Sequence, residues 1–259
     1  MLMPDAAAIL GVPVHRESLN QLTEQAVAAV QRRHPPIVFA CANPHSIVTA
    51  QGDRDFMQAL RSADAVVADG VGVTMLAPLA GARVGPRITG TDYFRTVMRA
   101  LDSAGGARVF FFGSTPQVLS LITARLALDY PSMVLAGTYS PPYGAWSSDD
   151  NDAMIERINR AKPDVLWVGM TAPKQEKWVA RHRGRLDARL IGSIGAVFDF
   201  YAGTVPRAPA WMCRSGTEWV YRLLREPRRL WRRNVVSGPR FVGLVVASRL
   251  RAGRTRKAP

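Results

Sequence analysis

Six short runs along the chain are apolar almost throughout: Ile37–Ala42, Ala65–Ala68, Arg108–Phe112, Met133–Gly137, Val165–Gly169 and Leu190–Ile194. They do not alternate apolar with polar, which marks strands buried on both faces of a sheet. Between and around them, apolar positions return at helical spacing. The predicted helices are Leu19–Arg32, Arg54–Ser62, Val71–Ala80, Asp92–Ala104, Pro116–Asp129, Asp150–Ala161 and Lys174–Arg183. Ser18 with Gln21 three residues on forms a capping-box pattern, and Pro116 after Ser114-Thr115 fits a first helical turn. Strand followed by helix, repeated, predicts an α/β, Rossmann-like fold with a mainly parallel sheet and helices on both faces. The Tyr139–Ser148 connection, with Pro141, Pro142, Gly144 and Trp146, reads as a packed surface loop, with a place near a site as the other reading.

Composition narrows the class. The chain has 259 residues, 47% hydrophobic and 21% charged, enough to build a sizeable core and too apolar to be disordered. Two cysteines, Cys41 and Cys213, and four histidines without an HExxH or close Cys/His cluster exclude a disulfide scaffold and the common zinc sites. The apolar runs fall short of the roughly 20 residues of a membrane-spanning helix. No basic stretch followed by a long apolar one opens the chain, so a cytoplasmic location is expected.

Charge changes the picture more. The net charge is +14, and residues 207–259 hold thirteen Arg and one Lys against Glu218 and Glu226, a net +12. The chain therefore divides into a near-neutral body, 1–205, and a basic helical appendage, 206–259. In the appendage Trp219, Val220, Leu223 and Leu224, then Trp231, Val235 and Val236, stand at helical spacing among arginines, and Phe241–Ala247 adds an apolar stretch. Such a segment suits the interface of an anionic membrane.

Four segments stand where strands end, the edge at which open α/β sheets bind ligands. They are Cys41-Ala42-Asn43-Pro44-His45, Ala68-Asp69-Gly70-Val71-Gly72, Phe112-Gly113-Ser114-Thr115-Pro116 and Gly169-Met170-Thr171-Ala172-Pro173-Lys174-Gln175-Glu176. Each reads two ways: as a phosphate cradle at a helix N-terminus, or as an ordinary turn into a helix.

The chain resembles the bacterial WecG/TagA/CpsF glycosyltransferases over nearly its whole length. The resemblance begins at Ile9-Leu10-Gly11-Val12-Pro13-Val14 and continues through Ala63–Gly72 and Arg87-Ile88-Thr89-Gly90-Thr91-Asp92. It is sharpest at Pro173-Lys174-Gln175-Glu176-Lys177-Trp178 and at Gly195–Gly203, and ends with Gly216–Trp219, Arg222, Glu226–Arg229 and Arg232. It implies an inverting transfer of a sugar from a UDP-sugar to a polyprenyl-diphosphate-linked saccharide, at the cytoplasmic membrane face, in the synthesis of surface polysaccharide or wall polymer. The sugar itself is not specified.

The same resemblance assigns roles. Asp69 is the general base, and Asn43 contacts a sugar hydroxyl or orients that base. Arg87, Gln175, Gly113 and Ser114 contact the donor, and Gly195–Asp199 help form the nucleotide pocket. Arg222, Arg229 and Arg232 fold over the active site from the appendage. Cys41 and His45 replace the Thr and Glu common in the family; Cys41 reads as a small buried residue and His45 as solvent-facing or capping. Asp53-Arg54-Asp55 and Asp150-Asn151-Asp152 fit the metal-binding DxD string of many glycosyltransferases, yet both open polar helical patterns and read as helix starts. No metal and no cofactor are expected. The rival reading is a non-catalytic nucleotide- or nucleic-acid-binding protein using the basic tail. No RRM, zinc-finger or helix-turn-helix signature supports it, so no nucleic-acid partner is expected. A homo-oligomer is compatible with the sequence.

Overall fold

A computed structural model describes residues 5–32, 36–231 and 235–255. The strands are β1 (Ala6–Ile9), β2 (Val12–His15), β3 (Ile37–Ala42), β4 (Ala65–Ala68), β5 (Arg108–Gly113), β6 (Val134–Tyr139), β7 (Val165–Gly169) and β8 (Leu190–Ser193). The body helices are α1 (Leu19–Arg32), α2 (Pro44–Gly52), α3 (Arg54–Ser62), α4 (Val71–Leu76), α5 (Gly90–Ser103), α6 (Pro116–Asp129), α7 (Ser148–Arg160), α8 (Lys174–His182) and α9 (Val197–Ala202). The appendage adds α10 (Ala210–Ser215), α11 (Glu218–Arg225), α12 (Pro227–Trp231) and α13 (Ser237–Thr255).

Six strands form one sheet in the order β4-β3-β8-β7-β5-β6, and every neighbouring pair is parallel. Successive residues alternate faces, so each strand feeds two cores. Phe110, Phe112, Leu166, Val168 and Ile191 pack on one side. Phe39, Val109, Phe111, Val165, Trp167 and Leu190 pack on the other. On that second side Phe39 stacks on Tyr93 with ring centroids 3.7 Å apart, and Phe94 meets Trp167 edge-on. Gly192 admits the Trp167 ring: a Cβ there would lie 2.2 Å from Cζ3.

The helix starts follow the sequence chemistry. Ser18 and Gln21 form their reciprocal pair, with Ser18 N–H donating to Gln21 Oε1 at 2.8 Å. Thr115 caps α6 ahead of Pro116, accepting from Val118 N–H. Asp53 caps α3, and its hydrogen bond from Lys177 holds its carboxyl below the usual range. Asp150 completes a capping box with Ser147 at α7.

Several expectations are corrected. The predicted helix over Val71–Ala80 stops at Leu76, because Pro78 lacks an N–H and the chain turns through Gly81 at φ +73°. The tail is not one continuous amphipathic run: α11 ends at Arg225 and Pro227 opens α12. Besides the short α9, two elements carry no strong periodicity and were not predicted. One is α2, which begins directly at Pro44. The other is the β1–β2 hairpin, whose two-residue turn places Leu10 and Gly11 at positive φ. His15 ties that hairpin to the sheet: Val66 N–H donates to its Nδ1 at 2.8 Å.

His182 ends α8 buried against Trp178. Burial first, then the Arg185 and Arg181 guanidinium groups, hold its pKa below the ordinary 6.5, while Asp152 pulls the other way. The unfolded chain therefore binds the proton first as pH falls, and stability drops from pH 6.5 downward to the folded pKa. His182→Gln is expected to lose less stability than the parent between pH 7.5 and 5.5 in urea titrations. An equal loss would remove His182 as a contributor.

Candidate functional site

A cavity of about 960 Å³ lies beyond the carboxyl ends of β4, β3, β8, β7 and β5, walled on its outer side by the appendage. A parallel sheet points all these ends one way, so residues distant in sequence converge there.

Asp69 follows β4 and lines the cavity; its N–H donates to Ala42 O at 2.9 Å, which fixes it beside the end of β3. Gly70 takes φ +116°, and a Cβ on Gly72 would lie 3.0 Å from Pro44 Cγ. These glycines let the Asp69 and Asn43 turns approach closely. Asn43 also lines the cavity; its Oδ1 caps α2 by accepting from Ser46 N–H at 3.0 Å, a bond that leaves its two Nδ2 donors and one Oδ1 lone pair outside the cap.

Cys41 lines the cavity half-buried, which corrects the expectation of a buried filler; its Sγ lies beside Gly90. His45 is half-buried, and its Nδ1 lies 2.8 Å from Ser237 Oγ, joining α2 to α13.

Ser114 and Thr115 line the cavity beyond β5, with Ser114 at φ +57°. Gly113 is not among the lining residues. It sits behind them, where a Cβ would fall 2.5 Å from Gly169 O, so it sets the spacing between the β5 and β7 ends. Gln175 borders the cavity but is only 4% exposed. It accepts from Met170 N–H at 3.2 Å and donates to Glu176 Oε1 at 2.8 Å, so it shapes the turn after β7.

The loop after β6 is not a detached surface loop. Pro141, Pro142, Tyr143 and Trp146 line the cavity. Lys174 Nζ stands 3.4 Å from the Trp146 ring centroid and donates to Gly144 O at 2.7 Å. Its partial burial holds that ammonium below the usual lysine pKa. In the Gly195–Asp199 segment, Gly195, Ala196, Val197 and Asp199 line the cavity, whereas Phe198 is core against Phe111.

Positive charge comes from two sides. Arg87 lines the cavity and donates to Cys213 O, linking the body to α10. Arg222 of α11 also lines it and stacks its guanidinium 5.0 Å from the Phe200 centroid. The appendage seats closely there: a Cβ on Gly216 would lie 2.9 Å from Val71 Cβ. The side chain of Arg229 and the whole of Arg232 lie outside the described residues. Among the described residues, no group of three His, Cys, Asp or Glu side chains could hold a metal ion.

Sequence reasoning did not single out Thr89, Ser193 or Glu218, all of which line the cavity, as does Phe200. Only Thr89 left a local signal, as the capping residue of α5, accepting from Asp92 N–H at 3.2 Å. The others reach the site through sheet order and the seating of the appendage.

Residues 7–255 match the protein family described as the glycosyl transferase WecG/TagA/CpsF family. The chain is similar to N-acetylglucosaminyldiphosphoundecaprenol N-acetyl-β-D-mannosaminyltransferase of Bacillus subtilis (strain 168), 32% identical over 204 residues, covering 79% of this chain and 77% of the relative. The like-named protein of Bacillus spizizenii is 33% identical over 205 residues, with the same coverage. That of Staphylococcus aureus (strain MW2) is 26% identical over 225 residues, 86% of each chain.

The rear wall of the cavity admits no side chain at Gly113. Gly113→Ala combines a backbone clash with φ +122° and is expected to cost about 1–3 kcal/mol, read as a lower urea midpoint. An unchanged midpoint would mean that the β5 and β7 ends are free to separate.

Proposed function

The chain belongs to the WecG/TagA/CpsF family of glycosyl transferases, and from that premise we propose that it moves a sugar, with inversion, from a UDP-sugar to a polyprenyl-diphosphate-linked saccharide at the cytoplasmic face of the membrane. The observation that carries this reading is Asp69: a carboxylate at a strand end, facing a large cavity that Arg87 and Arg222 also line.

The chemistry asks for one base. The acceptor hydroxyl attacks the anomeric carbon as the bond to UDP breaks. Asp69 takes the hydroxyl proton, and UDP leaves with the bonding electrons. Nδ2 of Asn43 donates to a sugar oxygen near that carbon. The departing diphosphate is met by Arg87 and Arg222, with Arg229 and Arg232 of the same appendage as further partners. Ser114 borders the donor, while Gly113 and Gln175 act by shaping the turns around it. No metal or cofactor takes part. The names of the relatives make UDP-N-acetylmannosamine the first donor to test, and N-acetylglucosaminyl-diphosphoundecaprenol the first acceptor.

The appendage also docks the protein on an anionic bilayer. No helix among the described residues is long and apolar enough to cross a membrane. Trp211, Leu224 and Trp231 are exposed, beside exposed Arg225 and Arg228. Aromatic residues and arginines side by side suit the headgroup interface. Deleting 206–259 is a poor test, since Phe241 and Val245 of α13 are buried in the body core with α2. Point changes are cleaner.

Asp69→Asn is expected to lower kcat by about 10²–10⁴-fold in acceptor-dependent UDP release with EDTA present, with the fold unchanged by circular dichroism. Near-parent turnover would remove Asp69 as the base. Arg225→Gln with Arg228→Gln is expected to weaken sedimentation with phosphatidylglycerol vesicles about thirtyfold, at about 1 kcal/mol per charge. Unchanged sedimentation would place the membrane contact elsewhere.

A further inference from the structure

Part of the cavity wall is apolar: Leu76 of α4, Trp219 of α11, and Phe241 and Val242 of α13 line it. The apolar surface then continues outside. Along α13, Phe241 and Val245 are buried at a spacing of four, and the adjacent stripe of Val242, Val246 and Leu250 is exposed at the same spacing. That stripe runs about 12 Å along the helix. Met75, 71% exposed, and Leu79 stand on the α4 side. Arg249 Nη1 lies against Gly81, which holds α13 beside the turn that follows α4.

A row of apolar side chains leading out of a polar cavity needs an occupant. From the order of chemistry along this path we infer that the stripe between α4 and α13 seats the first isoprene units of the lipid-linked acceptor. The inference rests on the transferase reading above and adds a subsite to it. The acceptor has three parts in series: a neutral sugar, a diphosphate and an apolar chain. The protein matches the two ends of that series: Asp69 stands just before α4, and α4 spans about 9 Å from Val71 to the apolar Leu76. Beyond it comes the apolar stripe. Its continuity with the site distinguishes it from the separate exposed group of Trp211, Leu224 and Trp231, which carries no lining residue of the cavity. Seating the chain here lets the protein read acceptor length without a bilayer.

The test uses the full chain, no membrane, and two soluble acceptors below their aggregation concentrations. Both carry N-acetylglucosaminyl diphosphate, one on a farnesyl chain and one on a dimethylallyl group. The parent protein is expected to favour the farnesyl acceptor in kcat/KM. Met75→Asp and Val246→Asp, on different elements, are each expected to lower the farnesyl-to-dimethylallyl ratio by about tenfold, through KM for the farnesyl acceptor. An unchanged ratio in both folded variants overturns the inference while leaving the transferase reading in place. A change confined to vesicle binding, or to sedimentation as a dimer, overturns it in favour of a bilayer or of a second copy. No transfer by the parent to either acceptor, or to the undecaprenyl one, removes the transferase reading and this subsite with it.

Discussion

A parallel sheet buried on both faces imposes one constraint from which the rest of this structure follows. Every strand of the six-stranded sheet leaves it at the same end, and most exits turn within a few residues into a covering helix. Asp69, Asn43, Ser114 and Gly195 lie far apart in the chain, yet all stand just after a strand that ends at this edge. The crowding there is met by glycines. Gly113 brings the β5 and β7 ends together, Gly169 admits the Phe198 ring, and Gly70 and Gly72 serve the turns around Asp69. Buried strands thus create the site geometrically, before any catalytic group is considered.

The appendage completes what the sheet begins. Among the described residues it contacts the body at several points. Gly216 packs on Val71 at the start of α4, Arg87 reaches the Cys213 carbonyl, and α13 inserts Phe241 and Val245 beside α2. The basic tail is therefore not a solvated arm. Part of its charge is turned inward, as at Arg222 over Phe200, and part outward, as at Arg225 and Arg228. Cations around a cavity that also holds a carboxylate are what the proposed transfer asks for: a base for the hydroxyl proton and positive charge for the departing diphosphate.

The polar residues of the site differ in how committed they are. Gln175 is engaged at both ends within the protein, and Asn43 at one. Such side chains hold turns in place, which is what positions their neighbours to within the tolerance that catalysis needs. The loop carrying Trp146 is held in the same manner, by Lys174 against the indole face and the Gly144 carbonyl.

The sequence by itself determined the class of fold. Short uninterrupted apolar runs such as Val165–Gly169, rich in β-branched and aromatic residues, mark strands covered on both sides, and caps at Ser18, Asp53 and Thr115 fixed where helices start. It also carried the candidate base, because a carboxylate between glycines at a strand end is a local feature, and the family pattern around it spans most of the chain. Only the tertiary structure decided the strand order, since parallel neighbours are joined by long crossovers that leave no mark in local periodicity. It alone decided that Tyr143, Trp146, Ser193 and Phe200 share a cavity with Asp69, that His45 bonds Ser237 across 192 positions, and that the tail breaks into short helices folded on the body. Those contacts depend on packing between distant segments, and no pattern of neighbours along the chain encodes that distance.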